Sequence, residues 1–377
     1  MSITALAHLA DPQTAPLLVL KVGSALLVGR DGAPRRAWLT ALAGEIAKAR
    51  ARGQAVIVVS SGAIALGAAK LDLPRGGRAS LADAQAAAAV GQIALGGLWA
   101  ELLGAEGLIA AQLLVTLEDL EDRRRYLNAA ATIGRLLKAG AVPVINENDS
   151  VATAEIRFGD NDRLAARVAQ AARADAVVLL SDIDGLYDRD PRDPAAQLLP
   201  LVHGVTDAIH AMASDASGSG MGSGGMRSKL QAAEIAERAG IALAIINGTH
   251  ERPLDRALSA DCGTLFIPQR KDGARKAWLG GRQRLAGALV VDPGCAQALR
   301  RGGSLLATGI VAVEGAFERG DPIAVRDGQG RLVAQGLAEY EAAEVEKLRG
   351  RRSEEHEVLL GYAPRSAVIH RDQLVLL

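Results

Sequence analysis

Five apolar runs constrain this chain more than any other feature. Residues 17–22, 55–59, 142–145, 176–180 and 241–246 are built almost wholly from Val, Leu, Ile and Ala, and each gives way abruptly to polar or glycine residues. Runs this short and this uniformly apolar read as strands buried on both faces, as in a parallel sheet covered by helices. The cover comes from helical stretches expected near 34–52, 64–70, 81–103, 119–139, 163–172 and 226–238, two of them closed by Gly53 and Gly140. A further strand is expected over 109–116. The predicted fold class is therefore α/β, an open and mostly parallel sheet sandwiched by helices. In such sheets ligands bind outside the carboxyl ends of the strands, so the polar residues that end each run become the candidate site.

Those strand ends differ in chemistry. Lys21 closes the first run, followed by Gly23 and Ser24, and Ser61-Gly62 follows the second, in the strand, small residue, helix order that makes an anion site at a helix N-terminus. After the third come Asn146, Glu147, Asn148 and Asp149, and then, beyond a hairpin-like 153–157, Asp160, Asn161 and Asp162. Two such acid and carboxamide clusters converge only around something cationic: a metal ion, a substrate amine, or lysines from elsewhere. Ser181-Asp182 ends the fourth run. The most glycine-dense stretch, 214–225, leads through Gly225, Met226, Arg227 and Ser228 to Lys229, a layout that wraps phosphates in backbone N–H groups and delivers a lysine to them. Gly220, Gly222 and Gly225 match a dinucleotide fingerprint in spacing only, because no apolar strand precedes them.

Composition narrows the partners. Lys plus Arg and Asp plus Glu both number 43, and aromatic residues are 3% of the 377. Neither a basic field nor a stacking platform is available for nucleic acid, and nothing draws the chain to an anionic membrane. Two cysteines, Cys262 and Cys295, make no disulfide framework or zinc site and indicate a reducing, cytoplasmic setting. Residues 1–16 lack a secretory pattern and are expected to be a loose N-terminal extension. The Ala/Gly-rich stretch 84–114 is interrupted by Gln85, Gln92, Glu101, Glu106 and Gln112, so it is expected to be a buried helix and strand rather than a membrane span. Around 268–284 the chain turns basic and loses its periodic pattern, which marks a junction. From 285 onward, turn signals such as Asp292-Pro293-Gly294, Asp321-Pro322 and Asp327-Gly328 punctuate a small, slightly acidic, mostly β module.

Two lysines, N–H-rich turns and a set of acids, with no histidine or cysteine among them, suit phosphoryl transfer, which depends on positioning and charge neutralisation. A carboxylate acceptor is already ionised at neutral pH and needs no general base, so the site is compatible with acyl-phosphate formation.

The strings KVGS (21–24), VVSSGAIALG (58–67), PVINENDSVATAEIRFGDND (143–162), LLSDIDGLYDRDPR (179–192) and GSGGMRSKLQAA (222–233) resemble those of the gamma-glutamyl kinase (glutamate 5-kinase) family, which has the amino acid kinase fold. SLLATGIVAVEGAFERGDPI (304–323) resembles the PUA domain that many members carry. The resemblance implies an N-terminal extension (1–16), a catalytic domain (17–268), a linker (269–284) and a PUA-like domain (285–377). It implies ATP-dependent phosphorylation of the γ-carboxylate of L-glutamate, the first step of proline biosynthesis. Lys21 and Lys229 would hold the phosphoryl group and Asp162 would orient them. Ser61, Asp149 and Asn161 would bind glutamate, with Asn146, Asn148 and Asp160 shaping the pocket. Lys21, Ser181, Asp182, Ser223, Gly224, Gly225, Met226, Arg227, Ser228 and Lys229 would surround ATP. Mg2+ would be held by ATP phosphates and water, with no dedicated protein metal site. Proline as inhibitor, a homo-oligomer and a glutamyl phosphate reductase as partner are implied too. Ser181 and Ser223 stand where threonine is expected, and either residue keeps a hydroxyl and a backbone N–H.

Alternatives remain at this point. A sister kinase could act on carbamate, aspartate, acetylglutamate or a nucleotide, although the acid-rich 146–162 favours an ammonium-bearing acceptor over a phosphate-bearing one. An RNA-binding role rests on the PUA-like tail, and a nicotinamide oxidoreductase rests on the glycine spacing alone.

Overall fold

The computed structural model describes residues 2–29, 31–151, 160–213, 225–269, 285–362, 365 and 367–377. The hairpin-like 153–157, the glycine stretch 214–224 with Ser223 and Gly224, and nearly all of the 269–284 linker lie outside the described residues. The chain divides into two units, Met1–Lys271 and Asp272–Leu377.

The first unit is built on eight strands: β1 (Leu17–Val22), β2 (Ala55–Ser60), β3 (Ala110–Val115), β4 (Val142–Glu147), β5 (Ala176–Ser181), β6 (Leu201–His203), β7 (Ala242–Asn247) and β8 (Thr264–Ile267). Their order across the sheet is β3-β4-β2-β1-β5-β7-β8-β6, with β1 paired in parallel to β2 on one side and β5 on the other. The apolar runs became these strands because every second residue buries into a helix layer on each face. One antiparallel pair, β7 with β8, departs from the parallel pattern. β6 and β8 were not expected from the sequence, since three- and four-residue strands leave too short a pattern to read.

Among the described residues the unit has ten α-helices: α1 (Ser24–Leu27), α2 (Arg36–Ala51), α3 (Ala63–Leu71), α4 (Leu81–Ala105), α5 (Leu117–Glu121), α6 (Arg123–Lys138), α7 (Asp160–Ala172), α8 (Asp207–Ala211), α9 (Met226–Arg238) and α10 (Pro253–Ala260). Leu18, Leu20, Val56, Val58, Val178, Leu180 and Ile246 share a core with Leu39, Leu42 and Ile46 of α2 and with α4 and α10. Lys21 alternates with Leu20 and Val22 and so points to the opposite face, where α7 packs.

Three expectations need correction. The single helix over 119–139 is two, because Thr116 and Asp119 form a capping box at the start of α5, while Asp122 takes extended backbone and accepts from Arg125 N to cap α6. The helix after the second acidic cluster begins at Asp160, not at 163, so that cluster forms its first turn. The N-terminal extension is not loose: a 3₁₀ turn, Leu6–Ala10, buries Leu6 and Leu9 in the core, and Gln54 Nε2 donates to both Leu9 O and Ala15 O at 2.8 Å.

By length and composition α4 could cross a membrane, but it is a core helix here, with Leu95, Leu98, Trp99, Leu102 and Leu103 packed inside. It crosses α3 with the backbones nearly touching. A Cβ added to Gly67 would stand 1.8 Å from Ala87 O, and one added to Gly91 would stand 1.7 Å from Ala63 O. This crossing fixes α3, whose first turn follows directly from Ser61.

The second unit has its own five-stranded sheet, ordered β10-β9-β11-β12-β13, from β9 (Gly287–Val291), β10 (Ile310–Gly315), β11 (Pro322–Asp327), β12 (Leu332–Leu337) and β13 (Leu374–Leu376). Leu289, Val291, Ile323 and Val325 pack there with Leu299, Val345 and Leu348 from the helices Pro293–Arg300 and Ala342–Leu348. The mostly β expectation holds for the sheet, with short helices packed into the same core.

Candidate active site

The chain runs from β1 outward to β2 on one side and returns through β5 on the other, so the carboxyl ends of β1 and β5 flank the point where the strand order reverses. A crevice is left at such a point because neighbouring connections leave to opposite sides. Of the residues singled out from the sequence, Lys21, Ser61, Asn146, Asn161, Asp162 and Lys229 are linked to one another there.

At the centre stands Asp162, the third residue of α7, fully buried. Lys21 Nζ lies 2.6 Å from Asp162 Oδ1, and Lys229 Nζ, from the first turns of α9, lies 3.0 Å from Asp162 Oδ2. Burial alone would raise the Asp162 carboxyl, but the two ammonium groups, helped by their hydrogen bonds, outweigh it and hold the acid below its ordinary range. Burial draws the Lys21 ammonium below its usual value, opposed by Asp162 and assisted by the like charge of Lys229. One carboxylate thus holds two lysines together and leaves a net positive charge at the crevice. Such an excess, in a largely water-free setting, suits a negatively charged group.

A second group lies beside the first. Asn161 Nδ2 donates to Ser61 Oγ at 2.6 Å and to Asn146 Oδ1 at 3.2 Å. Ser61 is held by its own N–H, which donates to Val22 O, and by the turn at Gly62, whose φ of 108° favours glycine and where a Cβ would press on Leu27 Cδ2 at 3.0 Å. Asn161 Oδ1 is buried and has no hydrogen-bond partner among the described residues. An unsatisfied acceptor in such a place is costly unless a ligand supplies a donor.

The other expected residues are placed as follows. Asn148 and Asp149 sit half-buried in the turn after β4, where Asn148 Oδ1 accepts from Ser150 Oγ at 2.7 Å. Ser181, buried at the end of β5, has its hydroxyl 3.3 Å from Asp182 Oδ1, and Asp182 is exposed. Gly225 precedes α9, Met226 is buried at its start, Arg227 is exposed, and Ser228 N donates to Gly225 O. The N-terminus of this thirteen-residue helix carries a partial positive charge suited to phosphate. Asp160 opens α7, while Ser223 and Gly224 lie outside the described residues.

Sequence reasoning missed the supports. Gln92 Oε1 accepts from Asn146 Nδ2 at 2.9 Å, and Gln92 Nε2 donates to Gln112 Oε1 at 3.1 Å. Trp99 Nε1 donates to Ser60 Oγ at 2.9 Å, and Gly248 N donates to Ser181 O at 2.7 Å. The signal for Gln92 was available: a glutamine in an Ala/Gly-rich helix needs a partner if it faces inward.

Comparison with known proteins agrees with this geometry. Residues 16–247 match the amino acid kinase family and residues 287–360 match the PUA domain. The chain is 68% identical over 377 residues to the glutamate 5-kinase of Novosphingobium aromaticivorans, covering 100% of both. It is 59% identical over 366 residues to that of Sphingopyxis alaskensis, covering 97% of this chain and 99% of the relative. Against that of Zymomonas mobilis it is 53% identical over 367 residues, covering 97% and 92%. Matched end to end at these identities, with two lysines closed on one buried aspartate where the strand order reverses, the chain belongs to the glutamate 5-kinase family of amino acid kinases.

Proposed function

We propose that this protein transfers the γ-phosphoryl group of ATP to the γ-carboxylate of L-glutamate, giving L-glutamyl 5-phosphate and ADP at the head of proline biosynthesis. The observation that carries the reading is the grip of Lys21 and Lys229 on the two oxygens of Asp162. One glutamate oxygen attacks the γ-phosphorus, the bond from that phosphorus to the β–γ bridging oxygen breaks, and the charge passes to ADP. No proton moves, because the acceptor is already ionised. Asp162, held below its ordinary range, stays a carboxylate throughout. Its task is to keep two like-charged ammonium groups side by side so that both face the transferring group.

Glutamate is assigned to Ser61, Asn161 and Asp149, with Asn146, Asn148 and Asp160 shaping the pocket. ATP is assigned to Lys21, Ser181, Asp182 and the run from Ser223 to Lys229. Mg2+ is assigned to the nucleotide phosphates and water, since both Asp162 oxygens are already committed to lysines. The catalytic domain is assigned to 17–268 and the PUA-like domain to 285–377, joined by 269–284. We propose too that proline inhibits at or beside the glutamate pocket and that the chain assembles as a homo-oligomer through its kinase domain.

The test is ATP consumption with L-glutamate and Mg2+ in the presence of hydroxylamine, which traps an activated γ-carboxylate as its hydroxamate. Hydroxamate should form only with glutamate, fall by about 10² to 10³ in Lys21→Ala and in Lys229→Ala, and be suppressed by millimolar proline. ATP turnover without hydroxamate would move the acceptor to another compound, and formation undiminished by proline would remove the inhibitor.

A further inference from the structure

Four side-chain amides form a row from the site to the edge of the sheet, and every link runs the same way. Asn161 Nδ2 donates to Asn146 Oδ1, Asn146 Nδ2 to Gln92 Oε1, and Gln92 Nε2 to Gln112 Oε1, at 3.2, 2.9 and 3.1 Å. Asn146 is 2% exposed, Gln92 is half-buried on α4 and Gln112 is exposed on the edge strand β3. A row of this kind has a polarity. Reversing one amide sets oxygen against oxygen on one side and N–H against N–H on the other, so the amides reverse together or not at all. The outer end is seated by Gly96, where a Cβ would come within 2.4 Å of Gln112 Oε1. The inner end leaves Asn161 Oδ1 buried and without a partner among the described residues.

We propose that Gln92, backed by Gln112, is a positioning residue for the glutamate site. It sets the polarity of the amide row so that Asn161 offers an acceptor oxygen, not an N–H, to the α-ammonium of the substrate. The proposal rests on the assignment of glutamate to Ser61 and Asn161. With Gln92 in place, Asn146 can only accept from Asn161, and Asn161 Nδ2 is committed to Asn146 and Ser61. Without it, either orientation leaves one polar atom of Asn146 unpaired toward position 92, so nothing favours the native polarity and the turned row becomes populated. The turned row presents an N–H to an ammonium group, which weakens glutamate binding and leaves the lysine clamp and the ATP groups untouched.

The experiment is steady-state kinetics on the full chain with each substrate varied in turn. Gln92→Met keeps the length of the side chain and removes both polar atoms; the KM for L-glutamate should rise about tenfold, as for an unpaired buried polar group, with the KM for ATP within about twofold of the parent. Gln92→Glu restores an acceptor for Asn146 Nδ2 and should recover most of the loss, which a purely packing role would not allow. Gln112→Met, on an exposed residue where folding is not at risk, should shift the glutamate KM in the same direction by a smaller factor. An unchanged glutamate KM in Gln92→Met, equal rises in both KM values, or a Gln92→Glu variant as impaired as Gln92→Met would each overturn the proposal. Asn161→Ala separates the two levels of failure. An unchanged glutamate KM there overturns the pocket assignment and the amide row's role with it, whereas a raised KM there beside an unaffected Gln92→Met overturns the row alone.

Discussion

Glu45 carries a cost that the site does not explain. It is 3% exposed, its Oε1 accepts from Asp255 N at 2.6 Å at the start of α10, and its Oε2 is buried without a hydrogen-bond partner among the described residues. Burial lifts its carboxyl from 4.5 to about 7, against the pull of the Asp255 and Leu254 N–H groups and of Lys48. An acid whose value rises on folding binds its proton more tightly in the native state. Its contribution to stability is therefore complete below pH 4.5, declines through the interval up to 7, and is gone above it, a swing on the order of 3 kcal/mol. Glu45→Gln keeps an acceptor for Asp255 N and removes the charge; its melting temperature should exceed the parent's at pH 8 and match it near pH 4.5. Equal melting curves at pH 8 would show that Glu45 is solvated. Legibility at this scale divided by cause. Lys21, Asp162 and Lys229 stood out because charge at the end of a buried strand or the start of a helix is conspicuous, and the resemblance to kinases said they meet. Glu45 and Gln92 were not conspicuous, since each lies within a helix whose pattern does not say which polar residue turns inward.

Among the elements, the crossing of α3 and α4 is the contact most sensitive to a single methyl group. A side chain at Gly67 or Gly91 has backbone atoms in its path, and backbone cannot move aside as a flexible side chain can. Gly91→Ala should cost about 1–3 kcal/mol by overpacking and lower the melting temperature, and it should raise the glutamate KM as well, because α3 begins just after Ser61. Gly97, further along the same helix, has nothing within 4 Å of the added Cβ. Gly97→Ala should instead stabilise by about 0.5–1 kcal/mol through helix propensity alone. Thermal melting of the pair decides the matter: gains of similar size in both would mean that propensity and not contact governs α4. The long strands and most helices were legible because their period is sustained over many residues. The break at Asp122 was not, because two capping residues six positions apart override a continuous helical pattern only through hydrogen bonds that the pattern does not contain.

At the scale of the whole molecule, the surface bears on assembly. Ile93 is 80% exposed and Ile109 68% exposed, both in the first unit, and large apolar residues so open to water are suited to burial against another copy. Light scattering should give a mass that is a multiple of the chain's 39.0 kDa, and Ile93→Lys with Ile109→Lys should reduce it; a single chain's mass in the parent would remove the oligomer. The change of sequence character near 268–284 falls on residues nearly all outside the described ones, while the chain divides between Lys271 and Asp272; the docking of the N-terminal segment was not legible, its few apolar residues being too sparse for a pattern. One last consequence follows from the strands themselves. β1, β2, β4, β5 and β7 are each six residues long, apolar through the body and polar only at or near the final position. The polar residues of these strands therefore lie along one rim, and what keeps the protein folded lies behind that rim. Selection can revise the first by substituting a handful of terminal residues while the second stays as it is, so a scaffold of this design can change its substrate without first having to learn to fold again.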